Sequence, residues 1–249
     1  MNDITITDFG YQRVTPEEKT RRVKEVFNSA ALNYDLMNDL MSFGVHRLWK
    51  RFTLHISQVR QGERVLDLAG GTGDMTYLFR QRVGDEGGVV ICDLNAVMLN
   101  EGKNRLINRG IVSRVDFVQA NAENLPFDSK SFSCICIAFG LRNVTDKDKA
   151  LVSMFDKLSY GGRVIILEFS KIVPQFLKEI YDKYSFKVIP FIGKVLTSDK
   201  ESYQYLVESI RTHPDQEKLK LMMETAGFSS VSYHNLNGGI VAIHKGYKL

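Results

Sequence analysis

The sequence is poor in cysteine and lacks long apolar runs, and both deficits restrict its class. Only three cysteines occur among 249 residues, and Cys92, Cys134 and Cys136 all lie in runs of β-branched or aromatic residues. No pair has C-x-x-C spacing, so buried hydrophobic thiols are a better interpretation than a redox or metal centre. No apolar run approaches the roughly 20 residues that span a bilayer. We therefore expect a soluble intracellular protein.

Other signatures are missing as well. The net charge is only +4, and no block of like charge exceeds the short KTRRVK at residues 19–24, so a nucleic-acid partner is not expected. The histidines lack metal-ligand spacing, and neither H-E-x-x-H nor G-x-S-x-G occurs, which leaves no predicted metal site. The first residues are acidic where a targeting peptide would be basic, which favours a cytoplasmic location.

What the chain does contain is an alternation of strands and helices. Apolar runs at residues 65–68, 89–92, 115–118, 134–138 and 164–169 alternate with helix-length segments, a pattern typical of a parallel sheet. The pattern predicts an α/β fold with helices on both faces of the sheet. A helix from Pro16 to about Ala30 precedes the sheet, and a second helical stretch breaks at Gly44. After a helix at 215–226, strands near 229–235 and 240–244 predict an antiparallel hairpin.

The first strand runs into the glycine turn RVLDLAGGTGD, residues 64–74. A dinucleotide fingerprint counted from Gly71 and Gly73 would require a third glycine where Thr76 stands, and no P-loop lysine follows. Ligands of such sheets bind beyond the carboxyl ends of the strands. There, Asp93 is placed to accept hydrogen bonds from ribose hydroxyls, while Asn121 and Ala122 offer polar groups to an adenine edge.

These residues together resemble the class I S-adenosylmethionine-dependent methyltransferases. The D-x-G-x-G-x-G turn reads here as DLAGGTG, and it is followed by the acidic strand end, by NAENLPF and by a G-G-R turn. The cofactor of that class has no phosphate, and its carboxylate binds backbone N–H groups near a helix start. The resemblance implies a Rossmann-like, seven-stranded sheet and S-adenosyl-L-methionine as cofactor.

Further segments narrow the resemblance. YDLMNDLMSFGVHRLWKR, FGLRNVTDKDKAL, GGRVIILEFSK, ESIRTHPDQ and HKGYK are similar to the UbiE family of quinone C-methyltransferases over nearly the whole chain. The family implies methylation of a ring carbon of a prenylated benzoquinol in the ubiquinone pathway and of demethylmenaquinol in the menaquinone pathway. It also fits a homodimer and contacts with other quinone-biosynthesis enzymes.

The expected organisation is a single domain with four parts. They are an N-terminal helical cap (1–60), a cofactor-binding core (61–170), a helical insertion acting as a lid (171–212), and a C-terminal helix and hairpin (213–249). Within the insertion, residues 176–196 combine an apolar face with lysines, which predicts a lid or a peripheral contact with the inner face of the cytoplasmic membrane.

The resemblance also implies site residues. Its cofactor contacts fall on Thr72, Asp93, Asn121 and Ala122, with Gly71 and Gly73 in the turn, and on Ala138, where the family commonly has serine. For the acceptor it implies Arg142 and Asn143. Arginine is too basic to accept a proton near neutral pH, so we expect Arg142 to stabilise an ionised quinol. Tyr34 and His46 are weaker candidates, for hydrogen bonding to ring oxygens and for proton transfer, respectively.

Three alternatives stay open at this point. A nicotinamide oxidoreductase would use the same turn and Asp93 but would lack its last glycine. An RNA-binding module would need more arginine than residues 176–196 contain. A methyltransferase acting on another aromatic or lipid acceptor is the strongest competitor.

Overall fold

The structure is a computed structural model that describes residues 6–30, 38–39, 42, 44–172, 174 and 200–249. Ahead of the main sheet, two short strands, β1 (Thr7–Phe9) and β2 (Gln12–Val14), pair antiparallel. Helices α1 (Pro16–Ala30) and α2 (His46–Ser57) follow, as the apolar spacing predicts. The small hairpin was not expected, so the N-terminal part is not purely helical.

The remaining strands and helices largely alternate, as the pattern of apolar runs indicates, but residues 120–131, between two of the predicted runs, form no helix. In chain order the elements are β3 (Arg64–Leu68), α3 (Asp74–Val83), β4 (Gly88–Asp93), α4 (Ala96–Asn108), β5 (Val115–Gln119), β6 (Phe132–Ala138), α5 (Lys147–Lys157), β7 (Leu158–Phe169), α6 (Lys200–Thr212), α7 (Gln216–Thr225), β8 (Ser229–Leu236) and β9 (Val241–Tyr247). Asn95 and Asp215 cap α4 and α7 by accepting hydrogen bonds from backbone N–H groups, which fixes where these helices begin.

One seven-stranded sheet organises the chain, in the order β5-β4-β3-β6-β7-β9-β8. The first five of these strands are parallel to one another, whereas β9 runs antiparallel to both β7 and β8. The predicted terminal hairpin is therefore confirmed. The chain runs outward from β3 through β4 to β5 and then returns to β6 on the other side of β3. Because the strand order reverses between β3 and β6, a crevice opens at the carboxyl ends of these strands.

Alternate residues of the central strands enter two separate apolar clusters. Val65, Cys134 and Cys136 belong to one cluster, together with residues of α2, α3 and α6. Leu66, Cys92 and neighbouring strand residues belong to the other, together with residues of α5 and α7. Since side chains alternate along a strand, each cluster lies on one face of the sheet. The three cysteines are thus buried as predicted, and all three are free thiols.

The fifth strand of the core starts earlier than expected. The sequence predicts the G-G-R turn at residues 161–163 and a strand from 164, but β7 is continuous from Leu158. Gly161 has a positive φ of 76°, and the register with β6 shifts between Phe132 and Cys134. The glycines therefore form an irregularity within the strand rather than a turn before it.

Two predicted features lie wholly or largely outside the described residues. These are Tyr34 and the segment 176–196. Helix α6, the only helix of the insertion among the described residues, begins after that segment. In the described part of the chain, no helix combines the length and hydropathy that crossing a bilayer needs. Nor do the described residues include a group of three or more side chains suited to bind a metal ion.

Candidate active site

A cleft of about 840 Å³ opens at the carboxyl ends of the central strands. It brings together five residues that the sequence analysis singled out, which are Gly71, Asp93, Asn121, Ala122 and Asn143. They come from the ends of β3, β4, β5 and β6 and are distant in sequence. The described structure therefore assembles five of the eleven predicted site residues in one cleft.

A smaller cavity of about 280 Å³ adjoins the cleft, and Ala69 lines both. Thr72 and Ala138 line this cavity, as does Asp67, whose carboxylate accepts a hydrogen bond of 2.6 Å from the Thr76 hydroxyl. Burial raises the pKa of Asp67 to about 7. The two cavities together form a long site, and acidic residues line both parts: Asp93 and Glu123 the cleft, Asp67 and Asp74 the smaller cavity.

The backbone segments that follow the strands have unusual conformations and pack closely against each other. Ala69 and Phe139, which directly follow β3 and β6, have positive φ values of 52° and 57°. Gly140 must lack a side chain, because a Cβ there would lie 2.5 Å from the Cβ of Ala69. Gly73 ends the turn at the start of α3 with φ of 81° and packs against Leu106. Such conformations concentrate at ligand sites, where the surrounding structure holds them in place.

Asp93 is the acidic residue of the large cleft that lies at the end of β4. One carboxylate oxygen accepts a hydrogen bond from the backbone N–H of Gly71 (2.9 Å) and the other from that of Asn95 (2.8 Å). Burial raises the pKa of this carboxyl to about 6, although the backbone hydrogen bonds favour its ionised form. The carboxylate therefore ties the glycine turn to α4 and keeps lone pairs for a ligand.

The loop after β5 supplies the opposite wall. The side-chain oxygen of Asn121 accepts a hydrogen bond from the backbone N–H of Glu123 (3.0 Å), which holds the loop in a compact turn. Ala122 is buried within the apolar cluster on one face of the sheet. This wall is therefore rigid and apolar, with polar groups at its edge.

Arg142 has a different environment from the one expected. It does not line either of the two cavities described above; instead, its Nη1 donates to Glu168 Oε1 (2.8 Å) and to the Phe139 carbonyl (2.6 Å). Both partners of this ion pair are only 2% exposed. Glu168 also accepts from the backbone N–H groups of Arg142 and Phe169. The guanidinium is thus fixed behind the cleft, and sequence reasoning gave no sign of Glu168.

Asn143, the next residue, does line the cleft. Its side-chain oxygen accepts a hydrogen bond of 3.0 Å from the hydroxyl of Tyr205 on α6. His46 is buried outside both cavities, with Nε2 lying 2.9 Å from Asp39 Oδ1. Burial and nearby Lys50 lower the pKa of His46, which favours a neutral imidazole. The geometry places Asn143, but not His46, where a ligand can reach it.

Helix α1, part of the predicted N-terminal helical cap, covers the cleft with side chains that the sequence analysis did not name as site residues. Thr20, Val23, Lys24 and Phe27 of this helix line the cleft opposite the strand ends. The cover is fastened by polar contacts, among them Asn95 Nδ2 to Asn28 Oδ1 (2.9 Å). The amphipathic pattern of α1 predicts a buried face but does not indicate what that face covers.

The fold is shared with solved structures of S-adenosylmethionine-dependent methyltransferases. A SAM-dependent methyltransferase from Aquifex aeolicus matches 95% of this chain and 100% of its own with a TM-score of 0.58 and 15% sequence identity. Another, from Thermotoga maritima, matches 91% of this chain and 100% of its own with a TM-score of 0.63 and 17% identity. At such low identity these neighbours speak to the fold alone.

Sequence comparison is more specific. The model of the ubiE/COQ5 methyltransferase family matches residues 15–248, and the chain belongs to this family. A relative from Francisella tularensis subsp. mediasiatica is 59% identical over 242 residues, which are 97% of each chain. A relative from Idiomarina loihiensis is 59% identical over 241 residues, 97% of this chain and 96% of its own. Both relatives carry the name ubiquinone/menaquinone biosynthesis C-methyltransferase UbiE.

Proposed function

We propose that this chain methylates a ring carbon of a prenylated benzoquinol and of demethylmenaquinol, as a C-methyltransferase of ubiquinone and menaquinone biosynthesis. The observation that carries the proposal is the 59% identity to UbiE relatives over 97% of both chains. An identity of this extent leaves little room for a different acceptor site. The strand-end cleft supplies the place where the chemistry occurs.

The cleft fits S-adenosyl-L-methionine as cofactor, which when bound supplies an electrophilic methyl group on a sulfonium. Asp93 offers carboxylate lone pairs to ribose hydroxyls, and the wall at Asn121 and Ala122 suits an adenine ring. The smaller cavity, with Thr72 and the N-terminus of α3 beside it, suits the amino-acid end.

For the acceptor, the protein must favour an ionised quinol, because a phenolic hydroxyl with a pKa near 10 is a weak nucleophile until its proton is lost or shared. Asn143 lines the cleft and can donate a hydrogen bond to the ring oxygen. Arg142 adds positive charge behind it, which Glu168 holds in place. His46, with its lowered pKa and position outside the cavities, is a weaker candidate for the proton acceptor.

The test is an assay of the purified chain with chemically reduced substrates. Demethylmenaquinol and a prenylated 2-methoxy-benzoquinol are incubated with S-adenosylmethionine, and the products are analysed by mass spectrometry. We expect each product to gain one methyl group on a ring carbon. Expression of the chain in a strain lacking the corresponding enzyme should also remove the accumulated demethylated quinone. Turnover of neither quinol would overturn the proposal and return attention to other aromatic or lipid acceptors.

A further inference from the structure

Tyr205 stands out among the described residues because it binds a cleft residue, Asn143, from a helix of the inserted segment. It lies on α6, is 4% exposed, and donates its hydroxyl proton to the side-chain oxygen of Asn143 over 3.0 Å. The two residues are separated by 62 positions in the chain. The contact therefore links α6 to the short turn that follows β6.

The ring of Tyr205 is held rigidly. It stacks on Phe9 of β1, with ring centroids 4.1 Å apart and an angle of 15° between the ring planes. The charged groups that act on its hydroxyl are Arg142, in the turn after β6, and Glu168, at the end of β7. Burial is the dominant influence and raises the pKa of Tyr205 above its ordinary value. The hydroxyl consequently stays protonated and acts as a hydrogen-bond donor at neutral pH.

A fixed donor on one side of a carboxamide determines what the other side offers. Because Tyr205 occupies the oxygen of Asn143, the amide cannot turn that oxygen toward the cleft without losing the hydrogen bond. The amide nitrogen has no hydrogen-bond partner among the described residues, so it is the group left for a ligand. A neutral N–H donor forms a stronger hydrogen bond with an ionised oxygen than with the oxygen of a hydroxyl group. The hydroxyl must in addition find a partner for its own proton.

We propose that Tyr205 is a positioning residue that holds Asn143 as a hydrogen-bond donor toward the ionising oxygen of the acceptor. The inference rests on the proposed function and adds to it the means by which the cleft distinguishes quinolate from quinol. The phenol of Tyr205 does not contact the acceptor in this arrangement. It acts by preventing the amide of Asn143 from rotating by half a turn.

Tyr205→Phe is the test, because it keeps the ring that stacks on Phe9 and removes only the hydroxyl. The matched control is Tyr233→Phe, which removes a tyrosine hydroxyl bonded to Glu217 (2.6 Å) at a surface remote from the cleft. For each protein, kcat and KM for demethylmenaquinol are measured from pH 6 to pH 10, and affinity for S-adenosylhomocysteine is measured by calorimetry.

We expect Tyr205→Phe to lower kcat about tenfold at neutral pH, the scale of one hydrogen bond to a charged group. The apparent pKa of the rising limb of the kcat profile should move upward, so that the deficit shrinks at high pH, where the quinol ionises unaided. KM and cofactor affinity should stay within about twofold of wild type. The control variant should match wild type throughout. A purely structural role would instead lower kcat by the same factor at every pH.

A second variant guards against misfolding of the first. Asn143→Asp keeps an acceptor for the Tyr205 hydroxyl but replaces the donor with a second oxygen, so kcat should fall further and should not recover at high pH. Wild-type kcat in either variant, or a pH-independent loss in Tyr205→Phe, would overturn the inference alone. Absence of quinol methylation by the wild-type chain would instead overturn the proposed function, and this inference with it.

Discussion

At Asp93, two influences act on one carboxyl group in opposite directions. Burial raises its pKa to about 6, while backbone N–H groups of Asn95 and Gly71 stabilise the ionised form. A ribose would add further donors to the same oxygens. Because such donors favour the carboxylate, cofactor binding must lower the pKa of Asp93, and affinity must depend on its ionisation.

The first prediction follows from this linkage. Asp93→Ala should weaken S-adenosylmethionine binding by about 1.5–3 kcal/mol, the scale of a charge-assisted hydrogen bond. In the wild-type chain, affinity should decline as the pH falls below about 6, because the carboxyl becomes protonated before the ligand binds. Calorimetric titrations between pH 5 and pH 8 provide the measurement.

Asp93→Asn is the informative control for that pH dependence, since it keeps the shape of the side chain and cannot titrate. Asp67, whose pKa burial in the smaller cavity raises to about 7, is still present in this variant and can still titrate. If the Asn variant retained the full decline below pH 6, the decline would belong to another group and the ribose role of Asp93 would lose its support.

The buried pair of Arg142 and Glu168 allows a second prediction at the residue scale. Because Arg142 lies behind the cleft and acts on the acceptor only through its charge, we expect Arg142→Ala to lower kcat by about tenfold, the scale of one hydrogen bond to a charged group. The same change should lower the free energy of unfolding by about 3–5 kcal/mol, because Glu168 remains buried without its counter-ion. Urea unfolding measures the second effect, and single-turnover methylation with pre-bound cofactor measures the first.

The double variant Arg142→Met, Glu168→Leu separates these effects. Replacing both charges with apolar side chains should restore much of the lost stability, whereas the methylation rate should stay low. A double variant that methylates at the wild-type rate would show that neither charge assists the reaction.

At the scale of elements, α1 is held against the sheet by polar contacts at both ends of its buried face. Lys19, only 2% exposed, donates from Nζ to the Val144 carbonyl (3.1 Å) and lies within 3.4 Å of the Thr7 hydroxyl. Val144 itself lines the cleft. The lysine therefore connects β1, α1 and the loop after β6, three elements that surround the ligand.

Burial gives Lys19 an unusual titration, which is the basis of the third prediction. Its pKa falls from 10.5 to about 8, chiefly through burial and secondly through Lys147. Between these two pH values the unfolded chain binds more protons than the folded chain, so stability rises with pH. Relative to Lys19→Met, the wild-type chain should gain about 2 kcal/mol of unfolding free energy between pH 8 and pH 10.5.

Chemical denaturation across this pH range provides the measurement, with the exposed Lys149→Met on α5 as control. Lys19→Met should also release S-adenosylhomocysteine several-fold faster, because one fastening of the cover is gone. If the difference in unfolding free energy between wild type and Lys19→Met did not change with pH, the pKa of Lys19 would be the same in the folded and the unfolded chain.

The sequence predicts those elements whose own residues carry a recognisable pattern. The strands of the parallel sheet are buried on both faces and therefore read as unbroken apolar runs. The hairpin of β1 and β2 was missed because three-residue strands with polar side chains carry no such pattern. The start of β7 was misplaced because Gly161, which looks like a turn residue, serves an irregularity within the strand.

For the whole molecule, too, local sequence predicts some site residues but not the distant residues that hold them in place. Residues that directly follow strands were predictable as site residues, because parallel strands end at one edge of the sheet. The partners that position them were not predictable, since Glu168 and Tyr205 meet Arg142 and Asn143 across 26 and 62 positions of chain. Only the packing of the complete fold brings such pairs together, as it does with the cover formed by α1.

The burial of every cysteine has a chemical consequence for a protein that handles quinols. A quinol that loses two electrons becomes a quinone, an electrophile that adds thiolates to its ring, and the reactive species on the protein side is the thiolate. Burial raises the thiol pKa of Cys92 and Cys134 to about 12 and that of Cys136 well above 9. The native chain should therefore resist arylation by benzoquinone, whereas the urea-unfolded chain should take up three adducts in intact-mass spectra. Adducts on the native chain would show that the central strands open on the timescale of the reaction. Because its three cysteines are buried, the folded protein exposes no thiol to the quinone that forms when its substrate is oxidised.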